Sequence, residues 1–322
     1  MSRTHSARLA LIGRLSDGEF HSGEMLGDAL GMSRAAISKH IKVLQSWGLD
    51  IYRVQGKGYC LSQPIELLDE AWLSDHTDVP ALSVIPVIDS TNQYLMERVG
   101  QLTSGSVCLA EYQQQGRGRR GRVWQSPFGS NLYLSMYWRL DAGPAAAMGL
   151  SLVVGVAMTK ALHELGAPGV KVKWPNDLYY QDKKLAGILV EMTGQTGDAA
   201  HLVIGMGLNI GMGPHVSEHI DQPWARLADA CQPMPSRNVL ASVLISRLQE
   251  ALLDYEKTGL AGIMDDWQQL DNFKERPVKL LMGDREVRGI ERGIDEHGAL
   301  LLDVDGVITP YLGGEISLRR DD

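Results

Sequence analysis

Residues 116–136 read GRGRRGRVWQSPFGSNLYLSM, a stretch in which four arginines and three glycines precede Trp124. A Ser-Pro turn and a run of strand-like residues follow. The letters also match G-x-G-x-x-G from Gly116 to Gly121, a pattern that is weak evidence when it stands alone. Three interpretations are open: a nucleotide cradle, a disordered basic tract for nucleic acid, and an ordinary charged loop.

The context of this stretch narrows the choice. A dinucleotide-binding fingerprint needs glycines that open a helix, whereas here Pro127, Gly129 and then a strand-like run follow. A disordered Arg-Gly tract would be longer and flanked by low-complexity sequence. The stretch therefore predicts a strand–loop–strand whose glycines let the backbone approach a ligand and whose guanidinium groups complement phosphate oxygens. A solvated basic hairpin remains the alternative.

The composition is typical of a globular protein with two or three domains. The chain has 322 residues, of which 44% are hydrophobic and 22% charged. Cys60, Cys108 and Cys231 form no C-x-x-C pair, which favours a reducing cytosol over disulfides or a zinc–cysteine site. No segment has the roughly 18 uninterrupted apolar residues of a membrane span, and residues 1–5 lack the apolar core of a signal peptide. We therefore expect a cytoplasmic protein without a membrane partner.

The charge is distributed unevenly along the chain. Residues 1–62 carry eight Lys/Arg and five Asp/Glu, a net charge of +3, whereas the whole chain has a net charge of −8. A basic segment attached to an acidic body predicts that only the N-terminal part meets a polyanion.

Residues 22–48, SGEMLGDALGMSRAAISKHIKVLQSWG, predict two helices joined by a short turn, after a first helix around Arg8–Leu15. Gly31 interrupts the apolar spacing. Ser33 is a good N-cap for the next helix, which runs to Trp47, because its hydroxyl can accept a hydrogen bond from an unpaired first-turn N–H. The apolar face of that helix is formed by Ile37, Ile41 and Leu44.

The following residues 51–61, IYRVQGKGYCL, alternate apolar and polar side chains around two glycines and predict a basic hairpin. Together these elements predict a winged helix-turn-helix that binds DNA, and a dimer on a two-fold site would supply enough contact for specificity. A helical protein-interaction domain with a charged face is the alternative. The candidate DNA contacts are Ser33, Arg34, Ser38, Lys39, Lys42, Arg53 and Lys57.

Pro64 ends the hairpin and new apolar spacing begins, so we predict domains at 1–64, 65–272 and 273–322. In the central part, short β-rich runs alternate with helical segments, which predicts a mixed α/β domain. The last fifty residues contain about five short strands separated by Gly- and Asp-rich turns, which suggests a small β-barrel. The predicted fold class is therefore α+β with several domains.

Two other stretches of the central part could hold a ligand. In IDSTNQYL, Ser90, Thr91 and Asn92 either cap a helix over 93–99 or offer hydrogen bonds to an uncharged polar ligand. In KVKWPNDLYYQDKKLAGILVE, Lys184 stands beside small residues, where it would meet a bound anion unless it is part of a solvated hairpin tip.

Glycines also interrupt the strand VIGMGLNI at Gly205 and Gly207, which indicates a close approach by a ligand or by backbone.

The string HVSEH at 215–219 matches a zinc-peptidase motif, but Gly211, Gly213 and Pro214 before it and Pro223 after it leave little room for the long helix that such a site needs. We interpret it as a surface loop and predict no metal site. The sequence shows no Ser-His-Asp or Cys-His arrangement, so covalent catalysis by a nucleophile of the protein is not expected.

The ordered strings GEFHSGE, SRAAISKHI, PVIDSTNQYL, GRGRRGR, SPFG, NLYLSM, VKWPNDLY, KLAGILVE and GGEISLR resemble the bacterial biotin protein ligases that also repress the biotin operon. The resemblance runs along the whole chain. The family pattern has Lys where this chain has Val123 and an aromatic residue where it has Gln125. The fold that it implies is a winged helix-turn-helix, a mixed α/β ligase domain and an SH3-like β-barrel.

The resemblance also implies roles for particular residues. The biotin-binding residues would be Ser90, Thr91, Asn92, Gln113, Gly116, Arg117, Gly118, Arg119 and Lys184. The adenylate-binding residues would be Arg119, Arg120, Arg122, Trp124, Asn176, Lys184, Asn209, Trp224 and Arg319. Lys184 and Arg119 would be catalytic, with Asp177 as the candidate to orient the attacking lysine or accept its proton.

The implied chemistry starts from biotin and ATP with Mg²⁺, which give biotinoyl-5′-AMP. The biotinyl group then passes to a lysine of the biotin carboxyl carrier protein of acetyl-CoA carboxylase. The adenylate would also be the corepressor that favours a homodimer on operator DNA. Two rival functions are a biotin-sensing DNA-binding protein without ligase activity and a lipoate ligase of the same architecture.

Overall fold

The N-terminal part is a compact helical unit with a two-stranded wing. The computed structural model describes residues 3–194, 198–213, 216, 220–313 and 316–321. The N-terminal elements are α1 (Arg3–Leu15), α2 (Gly23–Leu30), α3 (Arg34–Ser46), β1 (Ile51–Val54) and β2 (Gly58–Leu61). The predicted helix-turn-helix and its wing are confirmed, and the first helix begins earlier than predicted.

Helix α3 begins where its sequence predicts. The hydroxyl of Ser33 accepts a hydrogen bond from the N–H of Ala36 at 3.2 Å, as expected of an N-cap. The side chains of Ile37, Ile41 and Leu44 are buried against the other helices. This packing leaves the opposite face of α3 in solvent.

Trp47, directly after α3, joins the N-terminal unit to the rest of the protein. Its ring stacks on Tyr112 and Phe128, with centroids 5.3 and 6.0 Å away. The N–H of Phe128 donates to the carbonyl of Trp47 at 2.8 Å. A Cβ at Gly48 would collide with Pro127, so these two segments approach too closely for any residue other than glycine at position 48. The N-terminal core is thus shared with the central part.

The central part is built on one mixed sheet. Its strands are β3 (Leu82–Ile88), β4 (Val107–Gln113), β5 (Asn131–Leu140), β6 (Val170–Lys173), β7 (Asp177–Tyr180), β8 (Lys183–Thr193) and β9 (Ala200–Asn209). Within the described residues these seven strands follow the order β3-β4-β5-β9-β8-β7-β6. Only the β3–β4 pair is parallel in this ladder. The predicted mixed α/β domain is confirmed, and its shortest strands include β7, which begins soon after Pro175.

The helices of the central part pack against this sheet. They are α4 (Glu70–Asp75), α5 (Thr91–Met96), α6 (Leu150–Glu164), α7 (Leu227–Ala230), α8 (Arg237–Thr258) and α9 (Met264–Leu270). Helix α5 begins and ends earlier than the predicted span 93–99. Segment Pro144–Glu164 is long and apolar enough to cross a membrane by length and composition, but 56% of its most apolar window is buried inside the protein. Its helix α6 contributes many side chains to the hydrophobic core of the central part.

The C-terminal part is a small antiparallel sheet. Its strands are β10 (Pro277–Met282), β11 (Arg285–Ile294), β12 (Leu300–Val304), β13 (Val307–Tyr311) and β14 (Ile316–Arg320). In the described residues these five strands have the order β13-β12-β11-β10-β14. The short strands and tight turns agree with the sequence prediction. Strand β14 returns beside β10 and thereby brings the C-terminus back to the central sheet.

Two carboxyl groups meet in the interior where the central part joins the C-terminal sheet. Glu291 on β11 is 0% exposed, and Asp271 follows α9. The indole N–H of Trp267 donates to Asp271 at 3.1 Å, and the backbone N–H of Gly293 donates to Glu291. Burial, and then the negative charge of Asp271, raise the pKa of Glu291 to about 9. Glu291 is therefore protonated at neutral pH.

We predict that the free energy of unfolding falls as the pH rises from about 4.5 towards about 9. The folded state keeps the Glu291 proton, whereas the unfolded chain releases it near its ordinary pKa, so higher pH favours unfolding. The contribution of Glu291 to this slope is at most about 1.4 kcal/mol per pH unit. Glu291→Gln removes this contribution, which urea unfolding across that pH range measures.

The matched control is Glu296→Gln, because the Glu296 side chain is 86% exposed in a turn of the same sheet. This control keeps the pH slope of the wild type. Equal slopes in the Glu291→Gln and Glu296→Gln proteins would contradict the prediction.

Candidate functional site

A cleft lies between the central sheet, the loop that follows β4, and the last strand, β14. The predicted residues that line it are Ser90, Thr91, Asn92, Gln113, Arg117, Gly118, Arg119, Arg120, Arg122, Trp124, Asn176, Asp177, Lys184 and Arg319. Residues that are distant in sequence thus come together in a single cavity.

Three predicted residues are not among those that line the cleft. Gly116 packs under the loop, and Asn209 and Trp224 lie beside the backbone of Lys184. The side-chain amide of Asn209 donates to the carbonyl of Lys184 at 3.5 Å, and Trp224 forms a parallel bridge with Lys184. Both residues hold the strand that carries the lysine, and their ligand-binding roles stay predictions.

The glycine–arginine stretch is a folded loop between β4 and β5, as the sequence predicts. The N–H of Trp124 donates to the carbonyl of Gly116, and the N–H of Gly118 donates to that of Arg122, each at 2.8 Å. A Cβ at Gly116 would collide with the carbonyl of Trp124 and the hydroxyl of Ser126. The first glycine is therefore required by the close approach of the loop to itself. Val123, which departs from the family pattern, is 72% exposed.

Glycines of β8 and β9 form the floor of the cleft. A Cβ at Gly205 would overlap the amide of Asn92, and one at Gly207 would overlap the indole of Trp124. Gly187 lies under the same ring, and a Cβ added there would be 3.1 Å from it. The sequence indicated an approach by a ligand or by backbone, whereas the structure has side chains of the protein over these glycines. The indole N–H of Trp124 is buried without a hydrogen-bond partner among the described residues.

One end of the cleft carries neutral hydrogen-bonding groups. The hydroxyl of Ser90 caps α5 by accepting from the N–H of Gln93 at 3.4 Å, and Ser90 also lines the cleft. The backbone N–H of Thr91 donates to Gln113 Oε1 at 3.0 Å. Ser135 on β5 donates to Asn92 Oδ1 at 2.6 Å. The capping role considered for this motif is therefore present, and its three residues also line the cleft, while their hydrogen bonds to an uncharged polar ligand stay a prediction.

Glu191 connects the neutral end to the loop. Its Oε2 accepts from the side-chain amide of Asn92 at 2.8 Å and from the guanidinium of Arg117 at 3.0 Å. Because β8 places Glu191 beside both groups, the carboxylate ties the glycine–arginine loop to α5.

The other end of the cleft is cationic. Lys184 Nζ lies 2.7 Å from Asp177 Oδ1, and Lys173 Nζ lies 3.4 Å from Asp177 Oδ2. The guanidinium of Arg119 donates to Asn176 Oδ1 at 2.8 Å. The β7–β8 hairpin separates the Lys-Lys pair: Lys183 is exposed, whereas the side chain of Lys184 is only 15% exposed. The alternative considered above, a lysine in the solvent at the hairpin tip, therefore fits Lys183 but not Lys184.

Burial and charge together set the protonation of these groups. Burial opposes ionisation of Asp177, but the ammonium groups of Lys184 and Lys173 outweigh it and lower the pKa of the carboxyl. Burial lowers the pKa of Lys173, although the charge of Asp177 acts in the opposite direction. Burial also lowers the pKa of Arg119. The cationic end is thus a set of desolvated positive charges around one carboxylate, an arrangement suited to phosphate groups.

Sequence reasoning assigned no role to several residues of the site. They are Lys173, Ser135, Glu191 and Gln222. Gln222 Oε1 accepts from Arg319 at 3.1 Å. Lys173 stands in the string VKVKWP, where alternation could have placed it on either face of β6. The string HVSEH falls almost wholly outside the described residues. In the part of the chain that the structure describes, no cluster of three or more His, Cys, Asp or Glu side chains could hold a metal ion.

A second candidate site is the basic groove between α3 and the wing. Arg34, Ser38, Arg53 and Lys57 line this groove together. Ser33 is the N-cap of α3, while Lys39 and Lys42 are exposed on the same helix. The predicted DNA contacts therefore share the solvent-facing side of the N-terminal unit.

Comparison with known proteins agrees with this arrangement. Residues 84–209 match the biotin/lipoate A/B protein ligase family, 275–319 match the biotin protein ligase C-terminal domain, and 8–60 match an HTH domain. The bifunctional ligase/repressor BirA of Salmonella typhimurium is 60% identical over 311 residues, which is 97% of each chain. The protein of the same name from Escherichia coli is 57% identical over 317 residues, 98% of each chain. This chain belongs to the family of bifunctional biotin ligase/repressors.

A solved structure extends the comparison to three dimensions. The biotin protein ligase from Aquifex aeolicus in complex with biotin and ATP is 28% identical, with a TM-score of 0.65. The match covers 75% of this chain and 100% of the Aquifex chain. The architecture of this ligase/repressor is therefore that of solved biotin protein ligases over most of its length.

We predict that Gly207→Ala destabilises this ligase/repressor by about 1–3 kcal/mol, because the new methyl group overlaps the indole of Trp124. Gly211→Ala is the control, since the nearest atom to its added Cβ is 3.9 Å away, and it changes stability by less than about 0.5 kcal/mol. In a Trp124→Ala background most of the Gly207→Ala penalty disappears. Urea unfolding of the four proteins of this double-mutant cycle measures the coupling. An unchanged penalty in the Trp124→Ala background would refute the contact.

Proposed function

We propose that this chain is a biotin protein ligase that makes biotinoyl-5′-AMP from biotin and ATP with Mg²⁺. It then transfers biotin to a lysine of the biotin carboxyl carrier protein of acetyl-CoA carboxylase. With the adenylate bound, it forms a homodimer on operator DNA and represses the biotin operon. We assign DNA binding to a domain at 1–64 and ligation to a domain at 65–272, followed by a C-terminal barrel at 273–322. The protein would act in the cytoplasm.

The observation that carries the proposal is a single cleft with a neutral end and a cationic end. Thr91 and Asn92 offer hydroxyl and amide groups, which suit the uncharged ureido ring of biotin. Arg119, Lys184 and Arg319 offer positive charge, which suits a carboxylate and phosphates that must meet. Biotin adenylation needs both ends in one cleft, because the ureido ring and the reacting carboxylate belong to the same small molecule.

In the first step, the biotin carboxylate attacks the α-phosphorus of ATP and pyrophosphate leaves. Two anions approach each other in this step, so fixed cations lower its barrier. Lys184 and Arg119 are the groups that we assign to this task, because both are partly desolvated and line the cleft. Such groups are already oriented before the reaction, which makes their stabilisation of the transition state effective.

Mg²⁺ would enter this site with the phosphates of ATP. Among the described residues that line the cleft, Asp177 is the one carboxylate, and two lysines already bind it. A hard cation of this kind is commonly held by substrate phosphates, water and one or two carboxylates. In this proposal the phosphates of ATP and water supply most of the ligands of Mg²⁺.

In the second step, the amine of the carrier lysine attacks the acyl carbon of the mixed anhydride and AMP leaves. No nucleophile of the enzyme is needed, since the adenylate is already an activated acyl donor. The pKa of Asp177 is lowered by its two lysines despite burial, which makes the carboxylate a weak proton acceptor. We therefore assign Asp177 to orienting cations rather than to accepting the proton of the carrier lysine.

Repression is assigned to the N-terminal unit. Its exposed basic groove is separate from the cleft, and one small module buries limited surface on DNA. Two copies related by a two-fold axis would match an operator palindrome. Trp47 contacts Tyr112 on β4 and Phe128 in the segment before β5, so this unit lies against both sides of the glycine–arginine loop.

ATP–pyrophosphate exchange tests the ligase activity. We predict exchange with biotin and none with lipoate. Lys184→Ala lowers the rate by about 10²–10³-fold, because a cation that faces the developing charge is lost. Lys183→Ala is the matched control, since this neighbouring side chain is exposed at the hairpin tip.

The Lys183→Ala protein exchanges at the wild-type rate. Absence of biotin-dependent exchange in the wild type would refute the ligase proposal. Equal rates in the Lys183→Ala and Lys184→Ala proteins would instead remove the role assigned to Lys184.

Gel-shift titration tests DNA binding. We predict that Arg34→Ala or Lys39→Ala weakens operator affinity by about fivefold or more, as expected for the loss of a contact worth about 1 kcal/mol or more. Adenylation stays at the wild-type rate, because both residues are remote from the cleft. Lys257→Ala, an exposed charge on α8, is the control and leaves both properties unchanged. Unaltered operator affinity in both N-terminal variants would exclude this face of α3.

A further inference from the structure

Lys173 is a buried cation in the cationic end of the cleft. Its side chain is 4% exposed, and its ammonium group lies 3.4 Å from Asp177 Oδ2 and 4.9 Å from the ring centroid of Tyr179. Lys184 binds the other oxygen of the same carboxylate at 2.7 Å. Among the described residues, Asp177 forms ion pairs with these two lysines. One carboxylate is thus shared by an enclosed lysine and a lysine nearer to the open cleft.

This sharing creates a conflict for Lys184. In the proposed reaction its ammonium group must face the substrate's carboxylate and phosphate, yet here it is engaged by Asp177. If Lys184 left a buried carboxylate that had no other partner, an uncompensated charge would remain in the interior, which is strongly unfavourable. The movement of Lys184 towards a ligand therefore requires a second positive charge at Asp177.

We propose that Lys173 is a positioning residue that neutralises Asp177 while Lys184 turns from this carboxylate to the substrate. The inference rests on the ligase function proposed above. Lys173 is suited to the task because β6 and β7 pair antiparallel with Lys173 opposite Asp177, so the two side chains stay together when the ligand changes. The ring of Tyr179 lies against the ammonium group on another side and helps to retain it as a cation.

Lys173 also lines the cleft, and a direct contact with a phosphate is the competing explanation. The two explanations differ in how Lys173 depends on Asp177. If Lys173 acts by neutralising the carboxylate, it becomes dispensable once that carboxylate is replaced by an amide. If Lys173 binds phosphate itself, its loss is equally harmful with either residue at position 177.

The experiment is biotin-dependent ATP–pyrophosphate exchange with four full-length proteins: wild type, Lys173→Met, Asp177→Asn and the double variant. We expect Lys173→Met to lower kcat by about tenfold or more, because Lys184 stays bound to Asp177, while the KM for biotin changes by less than about twofold. In the Asp177→Asn background, the same Lys173→Met change lowers kcat by less than about twofold. The fold-loss caused by Lys173→Met is therefore at least about five times larger with Asp177 present than with Asn at position 177.

Equal fold-losses in both backgrounds would overturn the inference, since they are the result of direct phosphate contact or of general damage to the fold. Thermal unfolding of each protein identifies the second cause, and Lys173→Gln replaces Lys173→Met in the same four-protein comparison if the methionine variant does not fold. When the wild type exchanges normally, equal fold-losses in the two backgrounds refute the role of Lys173 and leave the ligase function standing. A wild type without exchange refutes the ligase function.

Discussion

The antiparallel pairing of β5 with β9 is the constraint on which the cleft depends. Its register places Ser135 opposite Gly205 and Tyr133 opposite Gly207. Ser135 and Gly205 therefore lie on the same face of the sheet, beneath Asn92. The hydroxyl of Ser135 donates to the amide oxygen of Asn92, and Gly205 has no side chain that would collide with this amide. Because strand side chains alternate between faces, a shift of one residue would put a large apolar side chain under Asn92 and close the floor of the cleft.

Much of the fold follows from local sequence, and the reasons are visible in particular residues. Ser33 has the chemistry of a cap, and Ile37, Ile41 and Leu44 have the spacing of one helix face, so α3 is predictable from its own residues. Strand β7 carries no comparable signal. It is a short segment between Pro175 and a tight turn, and its pairing with β6 and β8 rather than its composition makes it a strand.

The candidate site was predictable only where a motif marks it. The glycine–arginine loop and Lys184 stand in distinctive strings, and the structure brings them into one cleft. Glu191 and Lys173 lie in ordinary strand sequence, and their importance arises from neighbours that are distant along the chain: Asn92 and Arg117 for the first residue, Asp177 and Lys184 for the second. No local pattern encodes which strands become neighbours in the sheet, so residues of this kind were missed.

The stacking of Trp47 on Tyr112 and Phe128 limits how freely the protein's two activities could have been recombined during evolution. A truly modular DNA-binding unit would be joined to its enzyme by a linker alone and could be exchanged without consequence. Here its removal would expose the rings of Tyr112 and Phe128 to water, an apolar patch that favours association and that an isolated ligase would have to replace with polar side chains. The DNA-binding unit and the ligase part are therefore expected to be inherited together, because they share packed side chains as well as one polypeptide chain.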